Sequence, residues 1–410
     1  MRFTLPVWLL VVTGVLLGAQ WVQPSPQDIH TFYHWMQMAQ ERGLLHVYDW
    51  SAEEALQRYQ DFAPNYPPFI FILYPFAYLL MKLQCWPSWP SFGANLFFRV
   101  PILVGHLLVC FALKQFIPQV NNQKTYNLWL FLLVLNPALL IGGPIWGQLN
   151  FLLWGVIALA CFYWQKDHPN RAGFFTAIGA LIKPQFIMFL PLLGTLLLSE
   201  RKPGKAARCV FSFFATLCCF CLPFLLSSGL DCLTHGYIRV SGGQYALADI
   251  GYNFWWVLIK GLGISTGDTL FLGLPTRTIA LLFPNVLLAM LSVVFIFFPG
   301  RGHWISFGTF SLLLLFCFLP GMNAHCLILG VSFLCLQTVF SPSLLPSALI
   351  LSFVQILNLA YNALFTPHTR FYFSLPPWVG KAIGILSFFL ILSAALIILL
   401  HAFRKPMNKS

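Results

Sequence analysis

"APNYPPFIFILYPFAYLL", residues 63–80, begins as a proline-rich turn and then runs without a charge as far as Lys82. A bilayer span needs about 20 mainly apolar residues, so the run reads as chain made for lipid. It is not isolated: 59% of the residues are hydrophobic, 8% are charged, and apolar runs of 17 or more recur. Backbone in hydrocarbon must satisfy its own hydrogen bonds, which makes this pattern an all-α polytopic membrane protein.

Spans are expected near 5–22, 67–83, 97–113, 128–142, 150–165, 172–198, 207–227, 277–298, 304–319, 326–341, 343–364 and 379–403, about twelve in all, within a range of 11–13. They form a single integral membrane domain over 1–410, with outer interfacial helices at 23–66, a core helical bundle at 67–341 and C-terminal helices at 342–410. The opening "MRFTLPVWLLVVTGVLLGAQW" reads as a first span, because no small-residue A-x-A site follows its apolar run.

A net charge of +12 would point to nucleic acid in a soluble domain. Here the basic residues fall in short loops, and the positive-inside rule accounts for them without a nucleic-acid partner. "SERKPGKAAR" (199–208), "PGRGH" (299–303) and the tail "RKPMNKS" are therefore cytoplasmic. The eleven cysteines lie mostly inside apolar runs, as in "FATLCCFCLPF", and read as packing residues.

The segment 23–66 has the opposite character. It holds Asp28, Glu41, Asp49, Glu53, Glu54 and Asp61, six of the eleven acids, against Arg42 and Arg58, and is placed outside. "SPQDIHTFYHWMQMAQERG" offers Ser25 as N-cap, Pro26 at the first helical position and Asp28 at the capping-box position. Ile29, Phe32, Tyr33, Met36 and Ala39 then share one face, as in a helix lying flat on the membrane. "SAEEALQRYQDF" repeats the device with Ser51 and Glu54. Tyr66-Pro67-Pro68 stops any continuous helix and makes a hinge into the second span.

An acid soon after the first span, an amphipathic loop with Trp35, Gly43 and Tyr48, and then "NYPP" resemble the polyprenyl-phosphate-sugar-dependent glycosyltransferases of the GT-C class. The nearest resemblance is to bacterial relatives of the second mannosyltransferase of GPI-anchor synthesis. "NLFFRVPILVGHLL" resembles the arginine-bearing third helix of that class, and "NPALLIGGPIWGQLN" its N/H-P...G-Q-x-D/N segment. "ALIKPQFIMFLP" is similar to its K-P-Q helix and "GYNFWWVL" to its N-x-W element. The matches keep family order over roughly residues 25–330. Three positions depart from it: Asn65 stands where relatives commonly have D-Y-P-P, Asn150 where many have G-Q-x-D, and Asn323-Ala324-His325-Cys326 where many have H-E-R-Y. Either the substrates differ or activity has been lost.

The resemblance implies a GT-C-like fold and inverting transfer of a hexose, mannose above all, from a polyprenyl-phosphate-linked sugar donor to a glycolipid or glycan acceptor at the outer face. A phosphate leaving group needs little protonation, so the chemistry chiefly asks for one carboxylate and for cations or donors facing the phosphate. Asp28 is the candidate catalytic base; as an acid three residues after a serine, it fits a capping role equally well. Arg99 either binds or snorkels, and His106, on the same face, reads as a core histidine. Lys183 needs a partner or an aqueous cavity, which makes it either a donor-phosphate ligand or one half of a structural pair. Gln148, Asn150 and Gln185 complete that part of the substrate-binding set. Asn253, Trp255, Asn323 and His325 are its remaining candidates; Trp256 stands beside them, and Asp231 and Asp249 are reserve bases.

No cluster has metal-ligand spacing, and neither a metal nor a cofactor is expected. Counting spans puts Gln148 and Asn150 inside, whereas a role beside Asp28 needs them outside. If "KDHPNR" (166–171) is cytoplasmic instead, 150–165 runs inward, and 172–182 and 185–198 are two short helices broken at Lys183-Pro184. Two other functions fit the same residues: a transporter or flippase for a lipid-linked sugar, and an inactive scaffold of the same fold. The compact chain and the absence of an ER-retrieval signal point to a bacterial inner membrane, with an ER membrane left open.

Overall fold

The computed structural model describes residues 27–59, 63–74, 92–117, 122–239, 251–263, 274–297, 304–364 and 376–404, together with Gly14, Leu79 and residues 270–271. These residues are helical almost throughout; the one extended pairing among them is a two-residue ladder of Leu270–Phe271 with Leu274–Pro275. Among the described residues, six helices are long and apolar enough to cross a membrane: Leu96–Lys114, Gln123–Ile145, Pro203–Ser228, Thr276–Phe297, Pro342–Ala360 and Trp378–Ala402. Each falls on an expected span, and together they mark a multi-pass membrane protein. Asn150–Gln165, Trp304–Phe318 and Ala324–Phe340 are apolar but shorter. The expected first span, 5–22, lies outside the described residues apart from Gly14, and of 67–83 the structure describes a five-residue helix, Phe69–Leu73, Tyr74 and Leu79.

The expected span 172–198 is not one helix. It is Pro169–Ile182, then a 3-10 turn over Pro184–Phe189, then Leu190–Ser199. The cause is local: proline forces the residue before it out of the helical region. Lys183 accordingly has φ −157° and ψ 145°. The broken arrangement is the one that follows if residues 166–171 form a cytoplasmic turn.

By packing, the chain divides into two compact units: Met1–Leu113 with Leu140–Ile187 and Gly204–Gly243, and Lys114–Leu139 with Met188–Pro203 and Gln244–Ser410. The first unit is built on α1 (Gln27–Arg42), α2 (Ala52–Tyr59), α3 (Phe92–Lys114), α4 (Asn150–Gln165), α5 (Pro169–Ile182) and α6 (Pro203–Ser228). α4 and α5 form an antiparallel hairpin, and α5 lies so close to α6 that a Cβ on Gly173 would collide with the Cys209 carbonyl. The expected apolar face of α1 is buried against protein: Ile29, Phe32, Met36 and Ala39 are at most 1% exposed. Phe32 packs on Tyr66 and Tyr74, and Trp35 on Tyr66. Burial of each large side chain contributes about 1.5–3 kcal/mol, so the proline hinge is the floor on which α1 rests. The α2 capping box forms as expected, with Ser51 N–H donating to Glu54 Oε2 at 2.9 Å and Glu54 N–H to Ser51 Oγ at 3.2 Å.

The second unit contains α7 (Thr276–Phe297), α8 (Trp304–Phe318), α9 (Leu327–Phe340), α10 (Leu345–Leu364) and α11 (Pro377–Arg404). α8 and α9 are buried on all sides and packed together, with α10 and α11 against them.

Candidate functional site

The site starts from a glycine. Gly147 has φ +92°, a region that favours glycine, and a Cβ there would strike the Ile29 side chain and lie 3.7 Å from the Ile29 backbone nitrogen. The backbone just after Asp28 is thereby seated against the turn that ends in Gln148. That turn is closed by Gly147 N–H and Gln148 N–H, both donating to the Gly143 carbonyl, at 2.7 and 3.1 Å.

Lys183 comes to the same turn from the broken end of α5. Off the helix axis, its ammonium donates to Gln148 Oε1 and, at 2.9 Å, to Asn150 Oδ1, and lies 5.0 Å from the centre of the Tyr66 ring. The side chain is 2% exposed. Tyr66 is fixed in turn, its carbonyl accepting from Tyr48 Oη–H at 2.7 Å. Burial pushes the Tyr48 phenol well above its usual range, which keeps it a donor. The sequence reading gave Tyr66 only a hinge role. Its ring over Lys183 was not foreseen, although a tyrosine beside a proline hinge and a lysine beside a helix-breaking proline are both visible in the chain.

Arg99 and His106 lie on α3, at 0% and 1% exposure. His106 stacks on Phe151, the neighbour of Asn150, at 4.0 Å between ring centres. Gln185 is half-buried in the 3-10 turn after Lys183, and its Oε1 has no hydrogen-bond partner among the described residues.

The other candidates belong to the second unit, where most of them hold backbone. Asn253 caps Trp256 N–H at 2.9 Å and donates to the Leu319 carbonyl at 2.9 Å. Trp255 Nε1–H donates to the Phe318 carbonyl at 2.7 Å. Asn323 accepts from His325 N–H at 3.2 Å, and His325 is buried. Of the reserve bases, Asp231 is exposed at the start of a short helix, and Asp249 lies outside the described residues.

At the other end of the α4–α5 hairpin, Lys205 Nζ donates to the Trp164 carbonyl at 2.7 Å and is 3.3 Å from Asp167 Oδ1. Lys166, Arg171 and Lys205 thus share one end of the unit, and Asp28, Gln148, Asn150 and Lys183 share the other. The 16 residues of α4 separate the ends by about 24 Å. Among the described residues, no group of three or more His, Cys, Asp or Glu is placed to hold a metal ion. No family model matches the sequence, and no curated protein matches it significantly.

Proposed function

We propose that the chain is a membrane glycosyltransferase. It moves a hexose, mannose foremost, from a polyprenyl-phosphate donor to a lipid-linked or surface glycan acceptor at the outer face of a bacterial inner membrane. Transfer is inverting, with Asp28 taking the acceptor proton. The observation that carries the reading is the corner at Gly147, where the backbone after Asp28 meets the turn whose Gln148 holds Lys183. A carboxylate at the head of α1 and a buried ammonium aligned by two amides are what transfer from a phosphate leaving group requires. Arg99, on the same unit, supplies a second cation.

One observation favours a second reading. Helices broken around a buried charge, as at Lys183-Pro184, are also how transporters build their sites, so a flippase for a lipid-linked sugar has the same support. Reconstitution with polyprenyl-phosphate mannose and a glycolipid extract, in chelator, separates the two. A mass increase of one hexose on the acceptor is the result expected, whereas unmodified precursor moved across the bilayer supports the flippase. Transfer that vanishes in chelator and returns with magnesium or manganese would overturn the metal-free mechanism.

A further inference from the structure

α1 carries a second pair of chemically capable side chains that sugar transfer leaves unused. His30 and His34 are four residues apart on one helix and so share a face. Their ring centres are 4.1 Å apart, with the planes at 64°. Both are half-buried. The Tyr33 and Tyr59 rings flank His34 at 5.9 and 5.5 Å. The two arginines of the same outer segment pair with acids, Arg58 with Glu41 at 2.9 Å and Arg42 with Glu54 at 2.7 Å.

We propose that His30 and His34 form a two-ligand site for a borderline divalent cation of the zinc, nickel and copper class. Neutral imidazole suits these ions, whereas magnesium and calcium call for oxygen ligands. Zinc binds imidazole nitrogen at about 2.0–2.1 Å, which at a tetrahedral angle sets the two nitrogens about 3.4 Å apart. Two imidazoles bound in this way have their ring centres about 5 Å apart, so rings that stand 4.1 Å apart must open by about 1 Å, a change within the reach of side-chain rotation at i and i+4. With two protein ligands, water completes the shell, so the site fills when the metal is plentiful and is not a structural zinc. Its occupation ties together the first turns of α1 and stiffens the segment seated on Gly147.

The test needs no sugar chemistry, so its failure is distinct from failure of the transferase reading. Full-length protein without a polyhistidine tag is stripped with chelator and titrated calorimetrically with Zn²⁺ in millimolar Mg²⁺. One saturable site is expected, with a higher thermal midpoint when zinc is bound. His34→Gln and His30→Gln should each weaken binding at least tenfold, and His34→Cys, which keeps a ligand, should retain it. His46→Gln, which alters a histidine paired with Asp49 outside this pair, should bind as the natural protein does. Absence of saturable binding, or affinity in His34→Gln or His30→Gln equal to that of the natural protein, overturns the proposal.

Discussion

The two units bury different kinds of polar side chain. Among the described residues, every buried arginine and lysine (Arg99, Lys183 and Lys205) belongs to the first unit, as do the buried histidines His106 and His235. The second unit buries Asn136, Ser306, Thr309, Gln337, Ser352, Gln355 and Asn358, all neutral, and His325 is its one buried histidine among the described residues. Its neutral groups cross-link helices: Gln337 Nε2–H donates to Ser306 Oγ at 2.7 Å, and Asn136 Nδ2–H to Ser352 Oγ at 2.9 Å. Such bonds hold membrane helices together at modest cost, whereas a buried cation is expensive and is kept for function or for a dedicated partner. The proposed reading places its chemistry in the first unit, where the buried cations are, and leaves cohesion to the second.

The largest expected effect falls on Asp28. Asp28→Asn keeps size and some capping ability but cannot accept a proton. A missing general base lowers rate by roughly 10²–10⁴-fold, while a weakened cap changes stability by about 1 kcal/mol. The variant should accumulate normally, bind donor and transfer almost nothing in a radiolabelled-mannose assay. Near-normal transfer would take the base away from α1 and leave Asp231 and Asp249 as candidates. Lys183→Met comes next. Hydrogen bonds to a charged group are worth about 1.5–3 kcal/mol, so donor KM should rise roughly 10–100-fold in a folded protein. Failure of this variant to accumulate would make Lys183 a structural cation like Lys205, and the contrast between the units would lose its functional meaning.

Local signals in the sequence were the readable ones. The Ser51/Glu54 box and the buried face of α1 depend on residues three and four apart, and both appear in the fold. The break at Lys183 was readable from Pro184, yet hydropathy alone joined 172–198 into one span because neither 172–182 nor 185–198 contains a charge. The end of the hairpin on which Gln148 sits was not readable, since "KDHPNR" offsets its basic residues with Asp167. What brings the basic residues together at one end is Lys205 reaching Trp164 and Asp167, 41 and 38 residues away. Asn253 and Asn323 were read as substrate ligands, whereas both cap short helical turns, a role that asparagine ahead of a turn also signals.

Gln337→Leu probes the cohesive side of the contrast. It removes the bonds to Ser306 and Thr309; the Ser306 hydroxyl must find another partner, while Thr309 keeps its bond to the Ile305 carbonyl at 2.7 Å. Interhelical bonds of this kind average about 0.6 kcal/mol in membranes, so thermal stability in detergent should fall by about 1 kcal/mol. Donor KM should not move. A KM effect comparable to that of Lys183→Met would mean that the neutral network serves the site as well as the scaffold.

The smallest effect concerns the outer segment, where charge is exposed and neither argument about burial applies. Glu54 lies at the surface, and its carboxyl is lowered to about 2, first by the Ser51 backbone N–H and then by the Arg42 guanidinium. A carboxyl depressed in the folded chain stabilises it above its ordinary value near 4.5 and loses that contribution as pH falls toward about 2. Glu54→Gln keeps the shape of the capping box without the charge. Amides of residues 51–59 should therefore exchange faster in Glu54→Gln than in the natural protein at pH 7, and the gap should close between pH 4.5 and 2. Comparing the two proteins at each pH cancels the intrinsic pH dependence of exchange. High salt should narrow the gap by screening the exposed Arg42 pairing while leaving the Ser51 bond in place. A gap that persists unchanged at pH 2 would show that geometry, and not charge, holds the head of α2.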